Sequence, residues 1–395
     1  MTATVRTLQS SELPGALAVL ERAFGGAPHP EDVAIELSTV DPDRTYGAFS
    51  GDELVGTAGS FDFRMAVPGA VLPVAGVTWV GVLPTHRRQG VLNALMHRQL
   101  SDLHDEGKAV AALWATEAGI YGRYGYGTAA WKLGLSVTRG AAFRSPVPPG
   151  GLRLVDPADP APRAVYAEVA ARTPGWPERD DAWWAYRLQD PEHRRNGASP
   201  LQCVLTDGGY ALYATAMSWR DGLPDGAVRV RELVAVTPAA AARLWRYLLD
   251  LDLVKTAEVW AAAPDDVLLH GLLAEPRAAR ATWSDCLHVR VVDVPAALSL
   301  RRYAAGVDVV LQVVDERCPW NTGRWRLAGG RDGASCSPTS DAPDLVVAPA
   351  DLGAAYLGGT PLRSRGVTEL TAGTLSHAST AFGPIDAAPW CPQVF

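Results

Sequence analysis

The stretch Gly76-Val77-Thr78-Trp79-Val80-Gly81-Val82-Leu83-Pro84-Thr85-His86-Arg87-Arg88-Gln89-Gly90-Val91-Leu92 constrains this chain more than any other. Apolar and β-branched residues run almost unbroken to Leu83, the pattern of a buried strand. Pro84 has no N–H to give a ladder and ends it. From Gly90 the spacing turns helical, with Leu92, Leu95, Met96, Leu100 and Leu103 on one face and Gly107 as the stop. A second strand over residues 109–115 follows. Between strand and helix lie Arg87, Arg88, Gln89 and Gly90. A helix start offers unpaired N–H groups and partial positive charge. Glycine lets an anion approach the backbone, and arginines add charge-assisted hydrogen bonds. In this context the junction reads as a pyrophosphate site rather than an ordinary connection with solvated arginines.

Length and composition bound the rest. A chain of 395 residues fits two or three domains, and 48% hydrophobic with 20% charged residues supplies ample core. A net charge of −7 disfavours nucleic acid and fits cationic substrates. Five cysteines are scattered without a C-x-x-C pair, and no histidine joins them or carboxylates at metal spacing, so no metal is expected. An odd cysteine count and no apolar leader fit a reducing cytoplasm. No run of 18 apolar residues predicts a membrane span.

Along the chain, Ser10 reads as a helix cap with Pro14 in the first turn. Leu13, Leu17, Leu20 and Phe24 share its inner face. A second helix is expected over 31–37, then strands over 46–50, 54–63 and 71–83. The order is α, α, β, β, β, loop, α, β. After the strand at 109–115, Tyr121, Tyr124 and Tyr126 alternate with Gly119, Gly122, Gly125 and Gly127. Tyr121 and Tyr124 suit either aromatic packing or a site. Tyr126 stands between glycines, where its phenol (pKa near ~10) is able to protonate a leaving thiolate. Residues 144–151, with Pro146, Pro148 and Pro149, read as a linker. The middle third carries a helix over 181–188, a hairpin over 202–218 and a strand over 228–236, then a helix from Thr237-Pro238. There Pro238-Ala239-Ala240-Ala241-Ala242 replaces the arginines and glycine, and alanine side chains block close approach of a pyrophosphate. The last third has strands over 307–314, 325–327 and 344–347, with helices over 351–359 and 370–382. Cys318 reads as a packed thiol, His86 as a loop-shaping residue, and His97 and His104 as solvent-facing. The tail Pro389-Trp390-Cys391-Pro392-Gln393-Val394-Phe395 is too apolar to wave in solvent. Docked inside, its terminal carboxylate would rise above the usual ~3.5 and become a better base.

These residues resemble the acetyl-CoA loop of the GNAT N-acetyltransferases, R/Q-x-x-G-x-G/A, with Arg87 and Gly90 in place and Leu92 departing from the small last residue. Glu117-Ala118-Gly119-Ile120-Tyr121-Gly122-Arg123-Tyr124-Gly125-Tyr126-Gly127, the phrase Pro84-Thr85-His86-Arg87-Arg88 and the terminal Phe395 are similar, over essentially the full length, to the Eis (enhanced intracellular survival) subfamily. The resemblance implies an α+β fold class: two tandem GNAT-like α/β domains, catalytic (1–142) and degenerate (143–290), then a sterol-carrier-like α+β domain (291–395) whose C-terminus enters the active site. It implies acetyl-CoA as co-substrate, held by Arg87, Arg88, Gln89, Gly90, Val91 and Leu92, with the Val80 and Val82 backbone on the pantetheine arm. It implies Tyr126 as general acid and the Phe395 carboxylate as general base. Acceptors would be aminoglycosides, polyamines or lysine side chains, and the assembly a hexamer. For the acceptor pocket, Trp79, Trp114 and Trp390 are expected walls, and Glu31, Asp32 and Asp62 expected anchors for a cation. Two rivals stand beside this: a tailoring enzyme for one natural-product amine, and a lipid- or acyl-CoA-binding protein with a vestigial transferase.

Overall fold

A long antiparallel hairpin forms the centre of the first sheet in the computed structural model, which describes residues 3–27, 29–148 and 150–395. Pro149 of the expected linker lies outside them. The first unit comprises residues 1–130, 286–385 and 393–395, and the second 131–285 with 386–392. The first unit opens with β1 (Thr4–Thr7), α1 (Leu13–Ala23), α2 (Pro30–Ser38) and β2 (Thr45–Ser50). A single turn of 3-10 helix precedes α1, and Glu12 accepts the Gln9 N–H at 2.8 Å, so Gln9 rather than Ser10 holds the capping position. Then come β3 (Glu53–Val67) and β4 (Ala70–Val82), α3 (Val91–Asp105) and β5 (Val110–Trp114). β4 and β5 are parallel, with α3 as the crossover. The expected order is present, preceded by the edge strand β1 that periodicity did not reveal.

The chain then exchanges two strands across the expected domain bounds. After β6 (Gly127–Thr128) it leaves the first sheet, and the strand Leu287–Val291 returns to lie between β5 and β6. The strand Trp131–Thr138, inside the residues read as the first domain, instead pairs with Val254–Ala262 and Thr282–Asp285 in the second unit. Period-two alternation identifies a strand but not the sheet it joins, so this exchange was invisible in the sequence.

The second unit repeats the motif of the first: parallel strands Gly226–Ala235 and Val254–Ala262 joined by the helix Pro238–Asp250. Its core holds a buried carboxylate, Glu232, which accepts from Arg179 Nη2 at 2.6 Å, Arg187 Nε at 3.1 Å and Tyr210 Oη at 2.5 Å. An unpaired carboxylate at that depth would be prohibitive. The remainder of the first unit is a five-stranded sheet with Val307–Val313 at its centre. Arg301, fully buried there, gives its guanidinium to the carbonyls of Tyr356 and Phe382, with Tyr303 and Phe382 rings over it. The helix Pro349–Ala355 lies directly on β6 and Leu287–Val291. A methyl on Gly353 would overlap the Val289 carbonyl, and one on Gly127 the Ala350 carbonyl.

Two outcomes follow from this packing. Gly353→Ala is expected to destabilise the first unit by about 2–3 kcal/mol, read as a lower denaturation midpoint; an unchanged midpoint would mean the helix does not seat as described. In the second unit, burial pushes the Asp266 carboxyl up to about 6, against the Leu268 N–H that bonds it at 2.8 Å. The folded state therefore binds this proton more tightly than the unfolded chain, and stability falls as pH rises from about 4 through 6. Asp266→Asn keeps the acceptor and removes this loss, so the unfolding free energies of variant and wild type from urea titrations are expected to diverge between pH 4 and 7 by roughly 1 kcal/mol, discounted for partial exposure.

Candidate active site

β4 and β5 stay paired only from Val74↔Val110 to Val77↔Leu113. Beyond that point β4 runs on along β3 to Val82 while β5 ends at Trp114, opening a wedge whose β4 side carries Thr78–Val82. Within the wedge β4 has a bulge: Thr78 pairs with Gly59 and Gly81 with Thr57, so Trp79 and Val80 together oppose Ala58. Trp79 takes a left-handed φ of 51°, a strain that a bulge re-aiming the backbone requires. Its ring points away from the wedge into a core of Leu8, Leu13, Ala16 and Leu17. Trp79 is therefore a core side chain, not the expected pocket wall. Trp114 is half-buried and ends β5, where β4 and β5 have parted.

The loop after β4 is shaped by its own polar groups. Gln89 Nε2 donates to the Thr85 carbonyl at 3.0 Å, Thr85 Oγ1 contacts His86 Nδ1 at 2.9 Å, and Arg87 Nη2 holds the Ala23 carbonyl at 2.8 Å. Arg88 and Gly90 adopt left-handed φ of 61° and 84°. Gly90 is the N-cap of α3, with no side-chain cap and open space where a Cβ would stand. The first intrahelical bond is from Ala94 N–H to Gly90, so the preceding N–H groups of α3 have no acceptor within the helix. An anion with several oxygens fits that cradle. The matching junction of the second unit is closed: Thr237 Oγ1 accepts the Ala240 N–H at 3.2 Å, and Ala240 is fully buried.

Past Trp114 a short helix (Ala118–Tyr121) and a 3-10 turn (Gly122–Tyr124) lead through Gly125, φ 83°, to Tyr126. Tyr126 is 1% exposed, in a cluster with Ala75, Val77, Met96, Leu100, Tyr124 and Cys318. Its hydroxyl has no hydrogen-bond partner among the described residues. Burial pushes this phenol well up, opposed by the charge of Arg290. Tyr124 Oη donates to Asn93 Oδ1 at 2.6 Å, tying the turn to the first turn of α3, and Tyr121 packs edge-on against Tyr126 at 6.0 Å. Cys318 is buried and its thiol pushed up by burial, consistent with a packed thiol. His104, expected in solvent, stacks on Trp320 at 4.2 Å because α3 buries that edge.

The chain's last residue also reaches β4. The Phe395 ring packs edge-on against Phe63 at 4.9 Å and lies 3.2 Å from where a Cβ on Gly76 would stand. Alternation along β4 puts Gly76 on one face and Ala75 and Val77 on the other, so Phe395 and Tyr126 address opposite faces of the same strand. Phe63 and Gly76 were missed as supports for the terminus, since Phe61 and Phe63 read simply as strand interior. Trp390 packs instead inside the second unit, edge-on to Trp176 at 5.1 Å with its N–H on the Pro174 carbonyl; it is core, not a pocket wall. Asp62 is also reassigned: Lys108 and Arg44 already pair with it. Glu31 and Asp32 lie in the first turn of α2, where carboxylates favour the helix dipole.

Known proteins share the family and the fold of this chain. Residues 4–129 and 175–291 each match an acetyltransferase (GNAT) domain model, and 294–392 a sterol carrier protein domain model. An uncharacterized N-acetyltransferase of Streptomyces avermitilis is 44% identical, with all of both chains covered. The N-acetyltransferase Eis of Mycobacterium bovis is 37% identical over 91% of this chain and 90% of its own. The crystal structure of Eis1 from Mycobacterium abscessus superposes with a TM-score of 0.86 at 33% identity, covering 99% of this chain and 100% of that one. With two GNAT folds, a sterol-carrier-like domain and these relatives along its whole length, the chain belongs to the Eis-type N-acetyltransferases of the GNAT superfamily.

Proposed function

We propose that the chain transfers the acetyl group of acetyl-CoA directly to a primary amine, in the wedge between β4 and β5. The observation that carries this reading is the buried hydroxyl of Tyr126, without a partner among the described residues, on a turn that Tyr124 ties to the first turn of the uncapped helix α3. A buried polar group without a partner is costly unless a ligand completes it. The N–H groups from Arg88 to Leu92 and the Arg87 and Arg88 charges suit the pyrophosphate, and the Val80 and Val82 backbone suits the amide-rich pantetheine arm. Acetyl-CoA supplies the electrophilic thioester carbon. The bulged backbone near Val80 offers N–H groups to its oxygen as charge develops. The neutral amine attacks, a C–N bond forms and the C–S bond breaks. The Phe395 carboxylate takes the amine proton, directly or through one water, and Tyr126 gives its proton to the departing sulfur. The amine adds to the carbonyl carbon, and the sulfur leaves that same carbon from the tetrahedral intermediate, so the step needs one group to take the amine proton and another to give one to the sulfur. The junction in the second unit, closed by Thr237 and Ala240, supports one acetyl-CoA site per chain.

Aminoglycosides, polyamines and lysine side chains are the proposed acceptors, by extension from the Eis-type relatives, with Trp114 beside them and Glu31 and Asp32 as sources of negative charge. The same extension proposes a homo-oligomer, a hexamer, working in the cytoplasm. No helix among the described residues is long and apolar enough to cross a membrane.

Thiol release from acetyl-CoA, measured against kanamycin, spermidine and lysine peptides, is expected to show turnover. Tyr126→Phe, or a few residues added after Phe395, is expected to lower kcat by about a hundredfold or more with acetyl-CoA affinity retained. Full turnover in both would remove these two residues from the chemistry. No turnover with any amine, in a protein that binds acetyl-CoA, would overturn the broad-acceptor reading. Gly90→Val forces a β-branched residue to φ 84° and is expected to weaken acetyl-CoA binding about tenfold or more by calorimetry; unchanged affinity would move the pyrophosphate elsewhere.

A further inference from the structure

Next to Tyr126 lies a second buried group whose bonding is incomplete. In the antiparallel pairing of β6 with Leu287–Val291, Thr128 faces His288 and Gly127 faces Val289. One step further along this register brings Arg290 opposite Tyr126, and directly opposed residues of an antiparallel pair project to the same face. The guanidinium follows: a Cβ on Gly125 would overlap Arg290 Nη1 and stand 2.7 Å from its Cζ. Only glycine at 125 permits so close an approach. Arg290 is fully buried, and its Nη2 donates to Asp315 Oδ2 at 2.6 Å. Its Nε and Nη1 have no partner among the described residues. Asp315 is itself held, accepting from the Cys318 N–H at 3.0 Å, the Arg317 N–H at 3.3 Å and Asn321 Nδ2 at 3.1 Å. Asn321 in turn accepts the Val294 N–H at 2.9 Å and donates to the Val292 carbonyl.

A buried cation is expensive, and one carboxylate would satisfy it best if every other donor were also used. Here two donors are left over among the described residues, and one of them, Nη1, lies against Gly125, next in the chain to Tyr126, whose own hydroxyl is also unpartnered among them. The titratable neighbours of that phenol are Arg290, Tyr121 and Cys318, and Arg290 alone among them is positively charged. We propose that Arg290 is a positioning residue for the transfer: held by Asp315, its guanidinium stabilises the negative charge that Tyr126 acquires as its proton passes to the coenzyme sulfur. The O–H bond of Tyr126 breaks as the S–H bond forms, and the phenolate so made is paired with a fixed cation until it is reprotonated from solvent. The strand exchange gives this arrangement its meaning, because Leu287–Val291 carries a fully buried charge into the first sheet, whereas Arg6, Glu53, Asp62 and Arg64 of β1 and β3 are exposed.

This inference rests on Tyr126 acting as the acid, and the experiment separates the two. Wild type, Arg290→Gln, Arg290→Lys, Tyr126→Phe and the Tyr126→Phe/Arg290→Gln double variant are titrated by calorimetry at pH 8.5 with coenzyme A and with desulfo-coenzyme A, which lacks the sulfur. Their turnover with acetyl-CoA and kanamycin or spermidine is measured in parallel. Arg290→Gln is expected to cut the preference for coenzyme A over its desulfo form at least threefold and kcat at least tenfold, with desulfo-coenzyme A affinity unchanged. In the Tyr126→Phe background the same substitution is expected to change neither by more than twofold. Arg290→Lys, keeping the charge, is expected to restore most of both. Equal losses in the two backgrounds, or an unchanged preference in Arg290→Gln, would overturn the inference. A Tyr126→Phe variant indistinguishable from wild type would instead overturn the acid role itself. Should Arg290→Gln fail to melt cooperatively, Arg290→Lys decides: a loss as large as that of Tyr126→Phe, with normal melting, counts against the proposal.

Discussion

The parting of β4 from β5 after Val77 and Leu113 is the constraint on which the rest of the first unit depends. A strand in the middle of a sheet has its backbone groups spoken for on both sides; a strand that loses its neighbour does not. β4 loses β5 while still bordered by β3, so one row of peptide groups becomes available to an extended ligand with amides of its own. The bulge at Trp79–Val80 turns part of that row, and the strain at Trp79 is held by burying its ring beneath α1. The same strand delivers the loop to the uncapped start of α3, and its two faces receive Tyr126 and Phe395. One strand thus sets the geometry of every group in the proposed chemistry.

The two GNAT folds of the chain show how little separates an open helix start from a closed one. Both have parallel strands joined by a helix. In the first, Gly90 caps with nothing; in the second, a threonine hydroxyl serves the Ala240 N–H at 3.2 Å and buried alanine fills the approach. A hydroxyl and a few methyl groups suffice to satisfy the backbone from within the protein. The fold is retained because its stability lies in the packing of helix on sheet, as with Leu244, Trp245 and Leu248, and not in the helix start.

Much of this was legible in the sequence, for identifiable reasons. The strand–loop–helix of residues 76–105 shows because its apolar period changes where proline and glycine mark the loop. The aromatic-rich helix Asp181–Leu188 and the junction at Thr237 showed in the same way. Side chains whose role depends on distant neighbours did not. Trp79 and Trp390 look alike on paper as large aromatics near a site, yet each is packed into a core. Asp62 reads as free negative charge until Lys108 and Arg44 are brought to it. Arg290 sits within a short, otherwise apolar strand, where a single charge gives no sign of what lies across the ladder. Flanking glycines set Tyr126 apart from Tyr121 and Tyr124 and an apolar tail drew attention to Phe395, but the roles proposed for both come from resemblance.

The exchanged strand also bears on how the protein comes into being. Thr128 Oγ1 and His288 Nδ1, neighbours across the ladder at 3.5 Å, are 160 residues apart in the chain. Among the described residues, β6 joins its sheet only through Leu287–Val291. A ribosome that has finished the first 130 residues has therefore released a sheet with an open edge at β5 and its last strand unattached. Contacts of such long range are slow to form and leave apolar edges exposed meanwhile. The second unit, whose sheet is drawn from the continuous segment 131–285, is able to close earlier than the first. Synthesis from the N-terminus thus meets a fold that is completed from its middle outward, and the catalytic half is the part that waits.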